Sequence, residues 1–167
     1  AAIRPLLVSS RLLDDDQKVG FVDDHWVTVK GGRATAEAEH DAVYLTISLR
    51  NVGTGLAILN GWRFFEERPL GVTPAPSLDE FHRLTRDLYI PASSQGFWQG
   101  ALRDRADPEW EVAAKAIKDR NAMTIDVLYG DYEGGQRTIS RFTIQPFGED
   151  DWFTSVSRHW NLDRDDP

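Results

Sequence analysis

The chain has no cysteine, which excludes disulfides, thiolate metal sites and cysteine nucleophiles together. The same absence leaves the redox compartment open. Basic residues are in the minority: 19 Lys and Arg against 27 Asp and Glu give a net charge of −8. Such a surface repels a phosphate backbone, so nucleic acid is not an expected partner. No apolar run approaches the roughly 20 residues that span a bilayer, and no signal-peptide core is present. Residue 1 is Ala rather than Met, so the chain reads as processed or trimmed, and any membrane anchor or export signal is expected outside it.

What is present is a folding composition. Over 167 residues, 41% are apolar and 28% charged, enough apolar material for one core and too much for a disordered chain. A single domain is expected over residues 1–160. The segment Asn161-Leu162-Asp163-Arg164-Asp165-Asp166-Pro167 reads as a polar C-terminal tail.

The hydrophobic period in mid-chain is two. Val43, Leu45, Ile47 and Leu49 alternate with Tyr44, Thr46, Ser48 and Arg50, the pattern of a strand with one aliphatic face. Asn51-Val52-Gly53-Thr54-Gly55 interrupts it with turn residues. Leu56, Ile58, Trp62 and Phe64 resume the alternation, with a bend or bulge expected at Asn60-Gly61. Met123, Ile125, Val127 and Tyr129 repeat it, and Glu133-Gly134-Gly135-Gln136 predicts a hairpin into a strand over 137–145. Ile139 and Phe142 can share a face there only with a bulge near Ser140-Arg141. Further strands are expected over 3–9, 26–30, 86–91, 97–102 and 152–160. In the last, Trp152, Val156 and Trp160 are spaced as in a helix, but Thr154 to Ser157 favour strand. One helix is predicted over 107–120. Asp107 caps it, Pro108 suits its first position, Glu109 and Glu111 match its positive end, and Trp110, Ala113, Ala114 and Ile117 form its stripe. Glu66–Arg83, with Pro69, Pro74 and Pro76, reads as a long loop. Short strands, Gly-rich turns and one inserted helix point to a mainly β fold, an antiparallel β-sandwich.

Catalytic signatures are missing. Gly53-Thr54-Gly55 is no phosphate loop, because no Gly-Lys-Ser/Thr follows and the next element is a strand. His25, His40, His82 and His159 form no His-x-x-x-His pair, so they are expected to be solvated or hydrogen-bonded rather than metal ligands. Ser155, Ser157 and His159 lie along one strand and do not converge. Asp79, Glu80 and His82 could form an acid/base group, but nothing in their spacing selects them. The acidic runs Asp14-Asp15-Asp16 and Asp23-Asp24, with Asp163, Asp165 and Asp166, lack calcium-loop spacing and are expected to be solvated.

Tryptophan is abundant: six residues, Trp26, Trp62, Trp98, Trp110, Trp152 and Trp160. Trp62 and Trp110 sit in apolar patterns and are expected in the core. Trp98 and Trp160, beside Gln99 and Arg158-His159, are the candidates for exposed rings that could stack on a sugar or peptide.

The stretch Leu49-Arg50-Asn51-Val52-Gly53-Thr54-Gly55-Leu56-Ala57 resembles the strand–turn–strand signature of bacterial immunoglobulin-like domains, in which Asn-x-Gly follows an alternating strand. More narrowly, it resembles uncharacterised bacterial proteins in which such a domain follows N-terminal membrane helices. Arg4-Pro5-Leu6-Leu7-Val8 is similar to the first strand after the anchor in those proteins, and the hairpin Tyr129–Phe142 fits the same pattern. The resemblance implies an immunoglobulin-like sandwich, membrane-tethered, and supplies no active site.

The sequence therefore favours a non-enzymatic binding or interaction domain of a membrane-associated protein. Its partner would be another protein or a small ligand, with no catalytic residue, metal ligand or cofactor assigned. Two alternatives are a carbohydrate-binding module using exposed Trp and a hydrolase with catalytic residues on loops such as Glu66–Arg83.

Overall fold

The computed structural model describes residues 4–66 and 75–163. In chain order the elements are β1 (Leu7–Ser9), β2 (Gln17–Gly20), β3 (Trp26–Val29), β4 (Arg33–Ala38), β5 (Val43–Asn51), β6 (Ala57–Phe65), β7 (His82–Ile90), β8 (Gln95–Leu102), α1 (Pro108–Lys118), β9 (Met123–Gly130), β10 (Arg137–Phe147) and β11 (Asp151–Asn161). Every strand pairing is antiparallel. Nine strands form one sheet in the order β1-β5-β4-β11-β10-β9-β6-β7, with β8 on the other side of β5, and β2 and β3 form a separate ribbon. The large sheet curls into a half-barrel, which brings its edge strands β7 and β8 alongside each other without a hydrogen-bonded ladder between them.

The main core fills the inside of the curl. Leu45, Ile47 and Leu49 of β5, Ile125, Val127 and Tyr129 of β9, and Trp110, Ala113 and Ala116 of α1 meet there. Asp107 caps α1 by accepting from Glu109 N at 3.0 Å, with Pro108 as the first helical residue. The outer faces are covered too. Val19, Phe21, Val27 and Val29 of the ribbon pack on Tyr44, while Leu128, Ile139 and Trp160 form a third cluster against Leu78 and Phe81.

Two bulges set which side chains face inward. In β6, Asn60 is the extra residue between Leu59 and Gly61, so that Leu59 and Trp62 both reach the main core. In the β10–β11 pair the register shifts beside Arg141 and Phe142, where Arg158 and Val156 are successive partners and Ser157 is left over. The extra residue thus lies on β11. Ile139 and Phe142 do not share a face: one packs outside, the other inside. The same bulge moves Trp160 to the outer side, while Trp152 and Val156 pack on the main core.

Asn51 explains the Asn-x-Gly turn. Its Oδ1 accepts from Leu6 N and Gly53 N, each at 3.1 Å. Its Nδ2 donates to Gly55 O and Ile90 O, each at 2.9 Å. The side chain is fully buried, so one carboxamide serves three chain segments and keeps no free polar atom. Gly53 completes the arrangement, because a Cβ there would come within 2.3 Å of Arg4 O and 2.6 Å of Leu6 N.

Several expectations need amendment. β2 and β4 were not anticipated, and β4, Arg-Ala-Thr-Ala-Glu-Ala, has a composition poor in strand formers. The segment expected as a loop over Glu66–Arg83 lies partly outside the described residues, including Pro69 and Pro74. Of its remainder, Leu78–Glu80 is a 3-10 turn, and His82 and Arg83 begin β7. At the other end, β11 runs through Asn161, and Leu162 packs on the third cluster. Asp163 accepts from Arg137 N at 3.2 Å and from the Arg4 guanidinium. Order therefore extends into the segment read as a tail. No helix of the described residues is long and apolar enough to cross a membrane.

Candidate functional site

The approach of β7 to β8 leaves a cleft of about 170 Å³ at the open seam of the curl. Trp62 of β6, His82 and Arg83 of β7, Gln99 of β8, and Phe21 and Arg103 from the flanking turns line it. Its floor is aromatic. The Trp62 ring lies 4.6 Å from the His82 imidazole and 5.3 Å, edge-on, from Trp98. Gly100 makes that floor possible, since a Cβ there would fall 2.5 Å from the Trp98 ring and 2.9 Å from Trp62.

The rim is cationic. His82 Nε2 lies 2.5 Å from Glu109 Oε2 at the start of α1, and this hydrogen bond raises the His82 pKa above its ordinary 6.5 against the opposing effect of burial. Arg103 pairs with Asp23 at 3.1 Å. The Arg103 contact, followed by the Tyr44 hydroxyl that donates to Asp23 at 2.6 Å, holds the Asp23 carboxyl at about 2. Arg83 is exposed and has no ion-pair partner among the described residues. A guanidinium without an ion pair among the described residues therefore stands beside an aromatic floor in a chain whose net charge is −8. Neither a hydroxyl nor a carboxylate lines the cleft among the described residues.

The sequence candidates scatter. Glu80 pairs with Arg63 at 2.5 Å, and His82 turns to Glu109, so Asp79, Glu80 and His82 form no common group. His159 Nδ1 lies 2.6 Å from Ser140 Oγ, and the Tyr129 hydroxyl lies 2.7 Å from the same Oγ. Tyr129 OH already accepts from Leu7 N at 3.0 Å. Either hydroxyl of the Tyr129–Ser140 contact can be the donor, and the His159 tautomer sets the direction of the Ser140–His159 contact. Burial lowers the His159 pKa, which favours the neutral ring. Ser140 and Tyr129 are fully buried, so this chain of polar groups joins β1, β9, β10 and β11 inside the fold.

The acidic runs are not uniformly solvated. Arg50 grips Asp14 through two hydrogen bonds, at 2.6 and 3.1 Å, and Arg11 N adds a third at 2.8 Å. The Asp14 carboxyl is lowered accordingly, with Arg50 the main cause. Asp15, Asp16 and Asp24 are exposed, and Asp165 and Asp166 lie outside the described residues. Trp98 and Trp160 are 0% and 2% exposed, which overturns their reading as surface rings. Both faces of the curled sheet are covered where they sit, so polar neighbours in sequence did not mean solvent. Trp26 is the exposed one, at 64%. Sequence reasoning missed the pairing of His82 with Glu109 and that of His25 with Glu37; each joins elements whose juxtaposition depends on strand register, and no local pattern carries it.

No protein-family model matches the chain, and no curated protein or solved structure matches it.

Proposed function

We propose that the domain is a non-enzymatic binding module whose ligand site is the cleft at the β7–β8 seam, and that the ligand is a small molecule bearing a carboxylate. The observation that carries this reading is the exposed Arg83 guanidinium, without an ion-pair partner among the described residues, beside the tilted ring pair of Trp62 and His82. Arg presents a planar donor fork that matches a carboxylate, and the aromatic floor offers apolar contact for the ligand's carbon skeleton. The absence of a nucleophile from the described lining favours binding over hydrolysis. Trp98 and Trp160, the two rings expected to stack on a sugar, are buried, which leaves Trp26 as the exposed tryptophan. Kinship with immunoglobulin-like domains of membrane-associated proteins is part of the same proposal and rests on the resemblance at Leu49–Ala57; fractionation of the complete gene product tests the membrane part.

The binding test is a titration with acetate, succinate and a free-acid dipeptide, followed by the NMR signals of the Trp62 indole and the His82 ring. Saturable shifts confined to the cleft, abolished in Arg83→Gln, are expected. Shifts that persist in Arg83→Gln, or that spread evenly over the surface, would refute the reading. Arg83 is exposed, so its replacement changes stability by no more than about 0.5 kcal/mol.

A further inference from the structure

We infer that His25, Glu37 and Glu39 form a binding site for a divalent transition metal, with zinc the best match. The donor atoms of these three side chains all lie within 4.8 Å of one another. They come from two separate parts of the fold: His25 from the turn joining β2 to β3, and Glu37 and Glu39 from β4 and the residue just past its end. Two residues apart on an extended strand, the two glutamates project to one side.

The imidazole is held in place before any metal arrives. It stacks on Tyr44, with centroids 3.9 Å apart and planes 12° from parallel. Tyr44 is itself the cross-strand partner of Glu37 and is anchored through its hydroxyl to Asp23. His25 O accepts from Phe21 N at 2.8 Å, which closes the turn beneath the ring. The result is that His25 Nε2 points at Glu37 Oε2, 2.7 Å away. Glu39 N donates to Ala42 O at 2.8 Å, so the backbone that carries the third donor is fixed while its side chain stays exposed.

Tetrahedral zinc with bonds near 2.0–2.1 Å needs donors about 3.3 Å apart. The Glu37–His25 pair is already inside that spacing, and rotation of the exposed Glu39 side chain supplies the rest. On binding, the metal takes the place of the hydrogen bond between His25 Nε2 and Glu37 Oε2, with the neutral imidazole carrying its hydrogen on Nδ1. One nitrogen and two carboxylate oxygens suit zinc, nickel or cobalt; calcium and magnesium prefer oxygen throughout. Three protein donors leave the fourth position to water or an external ligand. Loading would also tie the β2–β3 ribbon to β4 of the main sheet. The inference does not depend on the seam cleft.

Calorimetric titration of the metal-free full chain with ZnCl2 tests it. One site is expected, weakened at least about tenfold, or 1.4 kcal/mol, in each of His25→Gln, Glu37→Gln and Glu39→Gln. Glu39→Gln touches only an exposed side chain and keeps the test valid if the other two variants misfold. His40→Gln, on the adjacent turn, should bind like the wild type, and CaCl2 should give no comparable heat. The inference is overturned if the wild type takes up no zinc at about 100 μM, an affinity weaker than about −5.5 kcal/mol. It is equally overturned if Glu39→Gln and His25→Gln bind unchanged, or if His40→Gln alone abolishes binding.

Discussion

Asp126 and Arg141 are cross-strand partners on β9 and β10, and the guanidinium closes on the carboxylate through two hydrogen bonds of 2.7 and 2.8 Å. The carboxylate is fully buried and the arginine nearly so. Arg141 lies over the rings of Phe65 and Trp160, at 5.0 and 4.7 Å. Burial pushes the Asp126 carboxyl up from its ordinary value, and the guanidinium pulls the other way. The pair sits on the outer face of the sheet, far enough from water that neither charge tolerates the loss of the other.

Replacing Arg141 with Met should therefore destabilise the protein by about 3–5 kcal/mol, because it strands a buried carboxylate. Changing both residues, Asp126→Leu with Arg141→Met, should cost less than the single change. Urea unfolding midpoints measure both. If the double variant is as unstable as the two single changes added together, the partnership between the groups is not what the arginine supplies.

The Asn51 carboxamide gives a sharper isosteric test. Asn51→Asp preserves shape but turns the two Nδ2 donor positions, now facing Gly55 O and Ile90 O, into acceptors. Two buried carbonyls then meet a buried carboxylate, and a loss of at least about 2 kcal/mol is expected. Equal stability of Asn51→Asp and wild type at neutral pH would show that the turn does not depend on this side chain.

Two histidines respond to pH with opposite sign. The Glu109 hydrogen bond raises His82 above 6.5, so the pair's contribution is fully present below 6.5 and is lost as pH rises through the elevated folded value. Burial lowers His159 below 6.5. Burial favours its neutral form in the fold, so stability falls as pH drops from 6.5 toward the depressed folded value, where the unfolded chain takes up the proton first. Denaturation of Glu109→Gln should show a loss that is largest at acid pH and shrinks toward alkaline pH. His159→Asn, which keeps a polar group facing Ser140 and removes the titration, should flatten the decline on the acid side. A Glu109→Gln loss that is the same at every pH would contradict the assigned pairing.

Elements whose information is local were readable in the sequence. Asp107-Pro108 placed the start of α1 because a cap and the first helical position are decided within a few residues. β5 and β9 were readable because apolar residues alternate strictly along them, although in the fold both faces of each strand are buried. The Asn60-Gly61 bulge and the Gly134-Gly135 turn were marked by backbone chemistry. β4 was not readable, since alanine, threonine and glutamate alternate without a hydrophobic signature; its strand state comes from ladders to β5 and β11.

The sequence by itself determined that the protein is mainly β with one capped helix, and that its turn at Asn51–Gly55 is structural. Tertiary structure alone decided what each side chain meets. Curling of the sheet covered Trp98 and Trp160 despite their polar neighbours, because burial depends on what packs over a face as well as on alternation along it. Strand register brought His25 to Glu37 across 12 residues and His82 to Glu109 across 27. A register shift of one residue reverses every side chain between faces, so such meetings are properties of the assembled sheet and cannot be read from any stretch of the chain.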